Sequence, residues 1–342
     1  MRLYDVAMNQ SQKNLPLSFA GIIGQNKAKK LLRRAVAQNR LTHAFLFKGP
    51  MGVGKKTLAR TFAAALNCQK QEGQEPCGQC PSCRKFLAGS HPDFIVIEPE
   101  GAAIKINQVR ELKKALVFPP FAAKIRVVLL CDIHTMRREA ANSLLKTLEE
   151  PPSQTMLILT ADEAGDILPT ILSRCQTVPF APLPQAEVAK ILSREADLDP
   201  ESAATLAAMG EGSLGRARLL LAKDLLGLRR EIIDHLLRLE PDTLATIQTI
   251  SELAESTARL KEDLGELLEL LITWIHDLLL FSHGAPGSII NHDLYPGFPA
   301  ACRRWSGIQL LERLRLLDTA RKQLARNCNP TAVCEVLFFG LL

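Results

Sequence analysis

The sequence is poor in aromatic residues and contains no long uninterrupted apolar run. Aromatic side chains account for 5% of the 342 residues, whereas hydrophobic residues account for 47%. The apolar content therefore rests mainly on leucine and alanine, which favours helices. The most apolar late stretch, residues 264–281, is interrupted by polar and charged side chains, namely Glu266, Glu269, His276 and Asp277. These interruptions exclude a membrane-spanning helix in that stretch.

An export signal is also lacking at the start of the sequence. Residues 1–14 do not contain the apolar core of a signal peptide. We therefore expect a reducing, cytoplasmic compartment. In such a compartment the nine cysteines are better explained by metal binding or simple burial than by disulfides.

A strong excess of one charge is lacking as well. The chain has 42 basic and 36 acidic residues, which gives a formal net charge of +6. This balance is compatible with contact to nucleic acid, but it is equally typical of an ordinary solvated surface. The length suggests two or three domains of about 100–200 residues each.

A glycine-rich loop, GPMGVGKKT at Gly49–Thr57, is the feature around which the chain is organised. It follows an apolar run, Ala44–Phe47, and precedes a helix-forming segment, LARTFAAALN. A strand, a glycine loop and a helix in this order form a cradle for phosphate groups. The loop therefore predicts a nucleotide site for ATP with Mg²⁺, with candidate residues Gly49, Gly52, Gly54, Lys55, Lys56 and Thr57.

The loop departs from the phosphate-binding pattern at one position. The pattern requires Ser or Thr directly after its lysine to hold Mg²⁺, and this chain has Lys56 there, with Thr57 one residue late. One residue along a helix is a rotation of about 100°, so the Thr57 hydroxyl should point elsewhere. The sequence leaves open whether nucleotide binds, whether phosphate binds without metal, or whether the loop is only a glycine-rich turn.

The acidic residues expected for hydrolysis are incomplete. A predicted strand at Arg126–Leu130 ends in Cys131-Asp132-Ile133, where hydrolysing enzymes of this kind carry one acid for Mg²⁺ and a second to activate water. Only Asp132 is present, so either alignment leaves the pair broken. A further predicted strand, Met156–Thr160, places Thr160 near the expected phosphates.

Four cysteines form a second module. Cys68, Cys77, Cys80 and Cys83 lie in a loop rich in Gly, Pro, Ser and Gln. Thiolates at these short spacings suit a tetrahedral structural zinc site. The alternative is four unrelated buried cysteines, but buried cysteines seldom cluster in a polar loop.

Arg174 is a candidate functional arginine in the segment Leu172-Ser173-Arg174-Cys175. It has no obvious carboxylate neighbour in the sequence. One interpretation is an ordinary surface arginine. The other is an arginine that reaches the nucleotide of a neighbouring subunit.

Four motifs together resemble the AAA+ subunits of the bacterial DNA polymerase III clamp loader. They are FAGIIGQ at 19–25, the C-x8-C-x2-C-x2-C module at 68–83, NSLLKTLEEPP at 142–152 and TILSRC at 170–175. The resemblance implies an α/β AAA+ fold with a RecA-like parallel sheet and flanking helices in residues 1–180. It implies a small helical lid domain in residues 181–223 and an all-α collar domain in residues 224–342.

The same resemblance assigns roles to the candidate residues. It implies zinc at Cys68, Cys77, Cys80 and Cys83, nucleotide at the glycine loop, and Arg174 as an arginine finger that acts in trans. The gamma/tau motor of this family has GKT or GKS, an Asp-Glu pair, and an arginine directly after Gly-Ser-x. This chain has GKK, Cys-Asp, and Gly215 at the last position, with Arg216 one place late.

These departures resemble the stator-type subunit of the family rather than its motor. The implied function is to supply an arginine finger to a gamma/tau ATPase while the sliding clamp is loaded on primer–template DNA. The implied partners are gamma/tau, delta, the clamp and DNA, in a hetero-pentamer near the bacterial nucleoid. Two alternatives are an ATP-hydrolysing motor of the gamma/tau type and another AAA+ ATPase, such as a repair or helicase-loading protein.

Overall fold

The structure is a computed structural model. It describes residues 17–342 apart from 39–40, 71–72, 102, 163–166, 241–242, 286, 288, 327 and the side chain of Glu262. The first part of the predicted domain 1–180 thus lies outside the described residues. The chain divides into two compact units, of which the first ends at Leu183 and the second comprises Pro184–Leu342.

A five-stranded parallel sheet forms the centre of the first unit. Its strands lie in the order β2-β3-β4-β1-β5. In β1, Phe45 and Phe47 pack on one face of the sheet, whereas Ala44 and Leu46 pack on the other. Both faces are therefore covered, as expected for a parallel sheet. The strand bounds are β1 Ala44–Lys48, β2 Phe94–Ile97, β3 Arg126–Leu130, β4 Thr155–Ala161 and β5 Gln176–Pro179.

Helices cover the two faces of this sheet. The helix that follows the glycine loop packs on the same face as Phe45, and the ring of Phe62 meets that of Phe45 edge to face at 5.5 Å. The opposite face is covered by leucines such as Leu112 and Leu144. The helix bounds in this unit are α1 Asn26–Gln38, α2 Lys55–Leu66, α3 Pro81–Leu87, α4 Ile106–Leu116, α5 Arg138–Glu149 and α6 Pro169–Leu172.

The second unit is helical throughout its described residues, apart from turns and loops. The rings of Trp274 and Trp305 meet edge to face at 5.8 Å within its core. None of the described helices in the chain is long and apolar enough to cross a membrane. The helix bounds are α7 Gln185–Ala196, α8 Pro200–Met209, α9 Leu214–Ala222, α10 Leu225–Arg238, α11 Leu244–Ala258, α12 Leu264–Ser282, α13 Phe298–Arg304, α14 Gly307–Ala325 and α15 Pro330–Leu341.

The predicted architecture is confirmed: a five-stranded parallel sheet with flanking helices is followed by a helical region. The strands predicted at Ala44–Phe47, Arg126–Leu130 and Met156–Thr160 are present. The strand β5 was not predicted; it is short, lies at the edge of the sheet and buries only Val178. The division of the second unit into a lid, 181–223, and a collar, 224–342, stays a prediction.

Candidate functional site

The glycine loop lies at the carboxyl end of β1 and leads directly into α2. The N–H of Gly49 donates to the carbonyl of Ala161 at the end of β4 (3.1 Å). Gly52 and Gly54 have φ angles of 76° and 99°, which favour glycine. At Gly49 a side chain is impossible without movement, because a Cβ would lie 2.2 Å from the carbonyl oxygen of Phe180. The loop therefore has the glycine-dependent backbone turns of a phosphate cradle, and the missing side chain of Gly49 leaves room for the carbonyl of Phe180.

Lys55 is buried within this loop and is already fully engaged. Its Nζ donates to the carbonyls of Gly49 and of Pro50 (3.0 Å), and it forms an ion pair with Asp162 (2.8 Å). Asp162 directly follows β4 and was missed by the sequence analysis. The only available signal was its position next to the strand that carries Thr160. A bound phosphate would have to replace the carboxylate of Asp162 as the anionic partner of Lys55.

Lys56 occupies the position where a metal-binding hydroxyl is expected. Its Nζ lies 2.7 Å from Oε1 of Glu98, just after β2, and the pair is partly exposed. Burial opposes the charge of Lys56, whereas the nearby carboxylates of Glu98 and Asp132 favour it, and the pKa of Lys56 is raised above its usual range. The position therefore carries a positive charge, which would repel Mg²⁺. Thr57 is half-buried on α2.

Cys131, Asp132 and Thr160 lie together at the ends of β3 and β4. The N–H of Asp132 donates to Oγ1 of Thr160 (2.9 Å), as expected for the neighbouring strands, and Asp132 has a φ of 54°. Cys131 is fully buried, and burial raises the pKa of its thiol to about 12. A neutral thiol is a poor ligand for Mg²⁺, which prefers oxygen. A buried neutral thiol therefore lies beside Asp132, where the sequence lacks the second carboxylate of the acidic pair.

Arg174 lies just after α6, before the start of β5. Nη2 forms an ion pair with Oε1 of Glu149 (2.6 Å), and Nη1 donates to the carbonyl of Thr170 (2.9 Å). This carboxylate neighbour is not evident from the sequence, because Glu149 lies 25 residues away in the chain. About one third of the Arg174 side chain, 34%, remains exposed. The guanidinium is thus at the surface, and Glu149 is its anionic partner.

The four predicted cysteines converge on one point. The sulfurs of Cys68, Cys77, Cys80 and Cys83 all lie within 4.8 Å of one another. Backbone N–H groups donate to three of these sulfurs: Cys77 N–H to Cys68 (3.4 Å), Cys80 N–H to Cys77 (3.3 Å) and Cys83 N–H to Cys80 (3.4 Å). Four sulfurs at this spacing form a donor set that could hold a metal ion.

The four thiols of the cluster differ in how readily they ionise. Burial opposes ionisation of Cys80, but N–H donors and neighbouring thiols outweigh it and lower its pKa to about 6. Burial raises the pKa of Cys68 and of Cys83. Backbone N–H donors lower the pKa of Cys77, so two of the four thiols ionise readily and two resist ionisation. A metal ion would supply the counter-charge for all four, because thiolates are the metal-binding form.

Two family models match the sequence of this chain. A family model described as "DNA polymerase III, delta subunit" matches residues 24–184. A second, described as "DNA polymerase III, delta subunit, C terminal", matches residues 223–339. A solved gamma subunit-related protein from Thermotoga maritima aligns with 92% of this chain and 97% of its own, at 19% identity and a TM-score of 0.43.

Three curated relatives are similar over long stretches. The DNA polymerase III subunit delta' of Bacillus subtilis is 29% identical over 93% of this chain and 96% of its own. Subunit delta' of Pseudomonas aeruginosa is 36% identical over 70% of each chain. Subunit tau of Bacillus subtilis is 31% identical over 94% of this chain, which spans 61% of tau. The chain therefore belongs to the delta-prime family of DNA polymerase III clamp-loader subunits.

Proposed function

We propose that this clamp-loader subunit is a largely non-hydrolysing stator, which supplies Arg174 to ATP held by a neighbouring gamma/tau subunit. The observation that carries the proposal is the pairing of Lys56 with Glu98 at the position of the metal-binding hydroxyl. A fixed positive charge there opposes Mg²⁺, on which phosphoryl transfer depends. The subunit would then contribute to hydrolysis only at a neighbour's site.

The rest of the chain's own site supports weak or absent hydrolysis. Cys131 is buried and neutral, and Lys55 is engaged by Asp162. Arg216, near the position of the family's sensor arginine, pairs with Glu266 (2.8 Å) and Glu211 (3.1 Å). Lys55 and Arg216 thus have charged protein partners in the described part of the chain, without a nucleotide.

The environment of Arg174 suits a residue that acts in trans. Both Arg174 and Glu149 are partly exposed, with 34% and 47% of their side chains accessible. Exposed ion pairs contribute at most about 1 kcal/mol, so the guanidinium can exchange Glu149 for a more strongly charged phosphate at little cost. Arginine is suited to this task because it is planar, always charged and able to bind phosphate through two N–H groups.

The cysteine cluster is proposed to hold a structural zinc ion through Cys68, Cys77, Cys80 and Cys83. Four thiolates leave no open coordination position, so the metal would stabilise the loop and α3 rather than take part in catalysis. Phosphate contact at Gly49, Gly52, Gly54 and Lys55 stays possible without a metal.

The proposed partners follow from the family. They are gamma/tau and delta subunits, the sliding clamp and primer–template DNA, in a hetero-pentamer in the bacterial cytoplasm. Tau, gamma and tau/gamma subunits are among the relatives of the chain, which supports assembly with such subunits through a common architecture.

The competing function is an ATP-hydrolysing motor of the gamma/tau type. The intact glycine cradle and the buried Lys55 favour it, because these parts are sufficient for contact with phosphate. ATP turnover by the isolated chain that is abolished by Lys55→Ala would establish this alternative. Lys56 and the neutral Cys131 weigh against it.

The arginine-finger proposal is tested by Arg174→Ala in a reconstituted loader. Arg218→Ala is a matched control, because Arg218 pairs with Glu195 at 2.6 Å with similar exposure, 30% and 45%. Since an arginine finger contributes about 10³–10⁵ in rate, Arg174→Ala should severely slow DNA-stimulated ATP turnover, whereas Arg218→Ala should not. Normal turnover with Arg174→Ala would refute the role of Arg174.

A further inference from the structure

Helix α1, Asn26–Gln38, carries charge of one sign only. It contains five basic residues and no acidic residue, although basic and acidic residues are nearly balanced over the whole chain, 42 to 36. Its buried face is apolar, because Ala28 and Leu32 pack in the core of the first unit. The rest of its surface is therefore basic. The five basic residues are Lys27, Lys29, Lys30, Arg33 and Arg34.

Four of these basic residues line one concave surface with a volume of about 560 Å³. Residues four apart lie on the same face of a helix. Lys29 and Arg33 therefore form one row of positive charge, and Lys30 and Arg34 form a second, each about 6 Å long. We call this surface the basic cavity. It is lined by Lys29, Lys30, Arg33 and Arg34, together with Ala20, Asn26 and Gln74.

The first row of the basic cavity is held in place by the protein. Nζ of Lys29 donates to the carbonyl of Ile22 (2.8 Å). Nη2 of Arg33 forms an ion pair with Glu75, and its guanidinium lies 5.5 Å from the centre of the Phe19 ring. Side chains that are already ordered lose less entropy when a ligand binds.

The second row has no charge partner. Lys30 and Arg34 are exposed, and neither pairs with an acidic residue in the described part of the chain. Burial and the neighbouring charge of Arg33 lower the pKa of Lys29, although Glu75 opposes this. The basic cavity thus holds more positive charge than its protein partners neutralise, and a bound anion would stabilise it.

The lining of the basic cavity favours a phosphate backbone over other anions. Apart from Ala20, every lining residue is polar or charged, and none is aromatic. Protein partners usually need an apolar or aromatic anchor, and single-stranded bases need aromatic rings for stacking. Lysine and arginine contact the phosphates of duplex DNA without either, and these contacts do not read the base sequence.

The basic cavity is separate from the glycine loop. None of its lining residues belongs to Gly49–Thr57. Gln25, just before α1, connects the two regions, because its Nε2 donates to the carbonyl of Val53 (3.2 Å). The same Nε2 donates to the carbonyl of Ala181 (2.7 Å). The start of α1 is therefore fixed on the first unit, and a phosphate in the cavity would be additional to any nucleotide.

We propose that the basic cavity of α1 binds the phosphate backbone of duplex DNA without sequence preference. Lys30 and Arg34 would contact phosphates directly, and Lys29 and Arg33 would add an ordered positive field beside them. This inference rests on the proposed function in one respect, which is that primed DNA is a ligand of the assembly. It assigns that ligand to a surface of this subunit.

The test is binding of the purified full-length chain to a fluorescein-labelled duplex of about 20 base pairs, measured by anisotropy at about 50 to 200 mM salt. Lys30→Glu/Arg34→Glu should weaken binding at least about tenfold at the lowest salt, equally for two unrelated sequences. Each phosphate contact contributes about 0.9 to the slope of log K against log salt concentration. The loss of two contacts should therefore reduce that slope by about 1.8.

A matched control is available on α7, Gln185–Ala196. Lys190 and Arg194 are an exposed lysine and arginine with the same four-residue spacing. Lys190→Glu/Arg194→Glu makes the same change in net charge, and it should leave duplex affinity within about threefold, because distant charges are screened. Lys30→Gln/Arg34→Gln removes the proposed contacts without adding negative charge, so it should also reduce the affinity and the salt slope.

Four results would overturn the inference. They are no duplex binding by the wild-type chain, an unchanged salt slope in Lys30→Gln/Arg34→Gln, an equal loss in the α7 control, and displacement of the duplex by poly-glutamate as effectively as by unlabelled duplex at equal total charge. The last result would assign the basic cavity to an acidic protein instead.

The DNA site and the arginine finger can fail separately, because duplex binding is measured on the isolated chain and the finger is measured as ATP turnover in the assembled loader. Arg174→Ala should leave duplex affinity of the isolated chain unchanged. Unaltered affinity in the α1 variants, together with slow turnover in Arg174→Ala, would remove the DNA site and retain the finger. The opposite pattern would retain the DNA site and remove the finger.

Discussion

Replacing Asp93 with asparagine should destabilise the first unit selectively. The two carboxylate oxygens of Asp93 accept three backbone N–H groups and face Arg126. An asparagine has one acceptor oxygen. If that oxygen keeps the N–H groups of Ala122 and Ala123, the amide NH₂ must face the N–H of Phe121 and the guanidinium of Arg126.

The loss of stability in Asp93→Asn depends on which hydrogen-bonding groups the substitution leaves unpaired. A hydrogen bond to a charged group contributes about 1.5–3 kcal/mol, and breaking a buried ion pair costs about 3–5 kcal/mol. These terms overlap, because the same oxygen, Oδ1, serves both Phe121 and Arg126. We therefore expect Asp93→Asn to lower the free energy of unfolding by about 3 kcal/mol.

The pH dependence of the folding stability gives an independent test of the role of the Asp93 carboxylate. Because the pKa of Asp93 is lowered in the folded state, its ionised form stabilises the fold at pH values above the unfolded pKa of about 3.9. That contribution is lost as the pH falls through the folded pKa. The difference in stability between the wild type and Asp93→Asn should therefore be constant near neutral pH and shrink below about pH 4.

The assay is urea unfolding followed by far-ultraviolet circular dichroism. Both tryptophans, Trp274 and Trp305, lie in the second unit, so their fluorescence reports on that unit alone. Asp199→Asn is a matched control, because Asp199 is exposed and caps α8, where asparagine caps equally well, within about 0.5 kcal/mol. Two results would refute this prediction. One is an equal loss of stability in Asp93→Asn and Asp199→Asn, and the other is a stability difference between the wild type and Asp93→Asn that is as large at pH 3 as at neutral pH.

Three further predictions concern the glycine loop, Lys56 directly after its lysine, and the cysteine cluster. Gly49→Ala should destabilise the fold by at least about 2 kcal/mol in urea unfolding, because its Cβ would meet the backbone oxygen of Phe180; an unchanged midpoint would contradict this. Lys56→Thr should cost under about 1 kcal/mol of stability, since the pair with Glu98 is partly exposed. It should make binding of a fluorescent ATP analogue depend on Mg²⁺, and binding that stays indifferent to Mg²⁺ would speak against Lys56 as the obstacle. Cys83→Ser should release zinc, detected with a chromogenic chelator, and lower the melting temperature; an unchanged metal content would argue against the cluster as a zinc site.

Most of the sheet could be predicted from the sequence because its strands are nearly continuous apolar runs. Arg126–Leu130 and Thr155–Ala161 are buried along their whole length, which is the pattern of strands covered on both faces. The strand Gln176–Pro179 was missed for the opposite reason. It lies at the sheet edge and buries one residue, so its composition resembles a loop.

The candidate site was predicted in part. The glycine loop and the cysteine module depend on residues close in sequence, and their spacing carried the prediction. The partners of the charged groups could not be predicted, because the fold brings them from distant segments. Arg174 meets Glu149, Lys55 meets Asp162 across 107 residues, and no local pattern encodes such pairs.

The measurement that tests the account most directly is ATP turnover by the purified chain, alone and then mixed with gamma/tau, delta, the clamp and primed DNA. A stator should show no turnover by itself and strong turnover in the mixture that depends on Arg174. Steady turnover by the chain alone, abolished by Lys55→Ala, would contradict the account and identify the subunit as a motor.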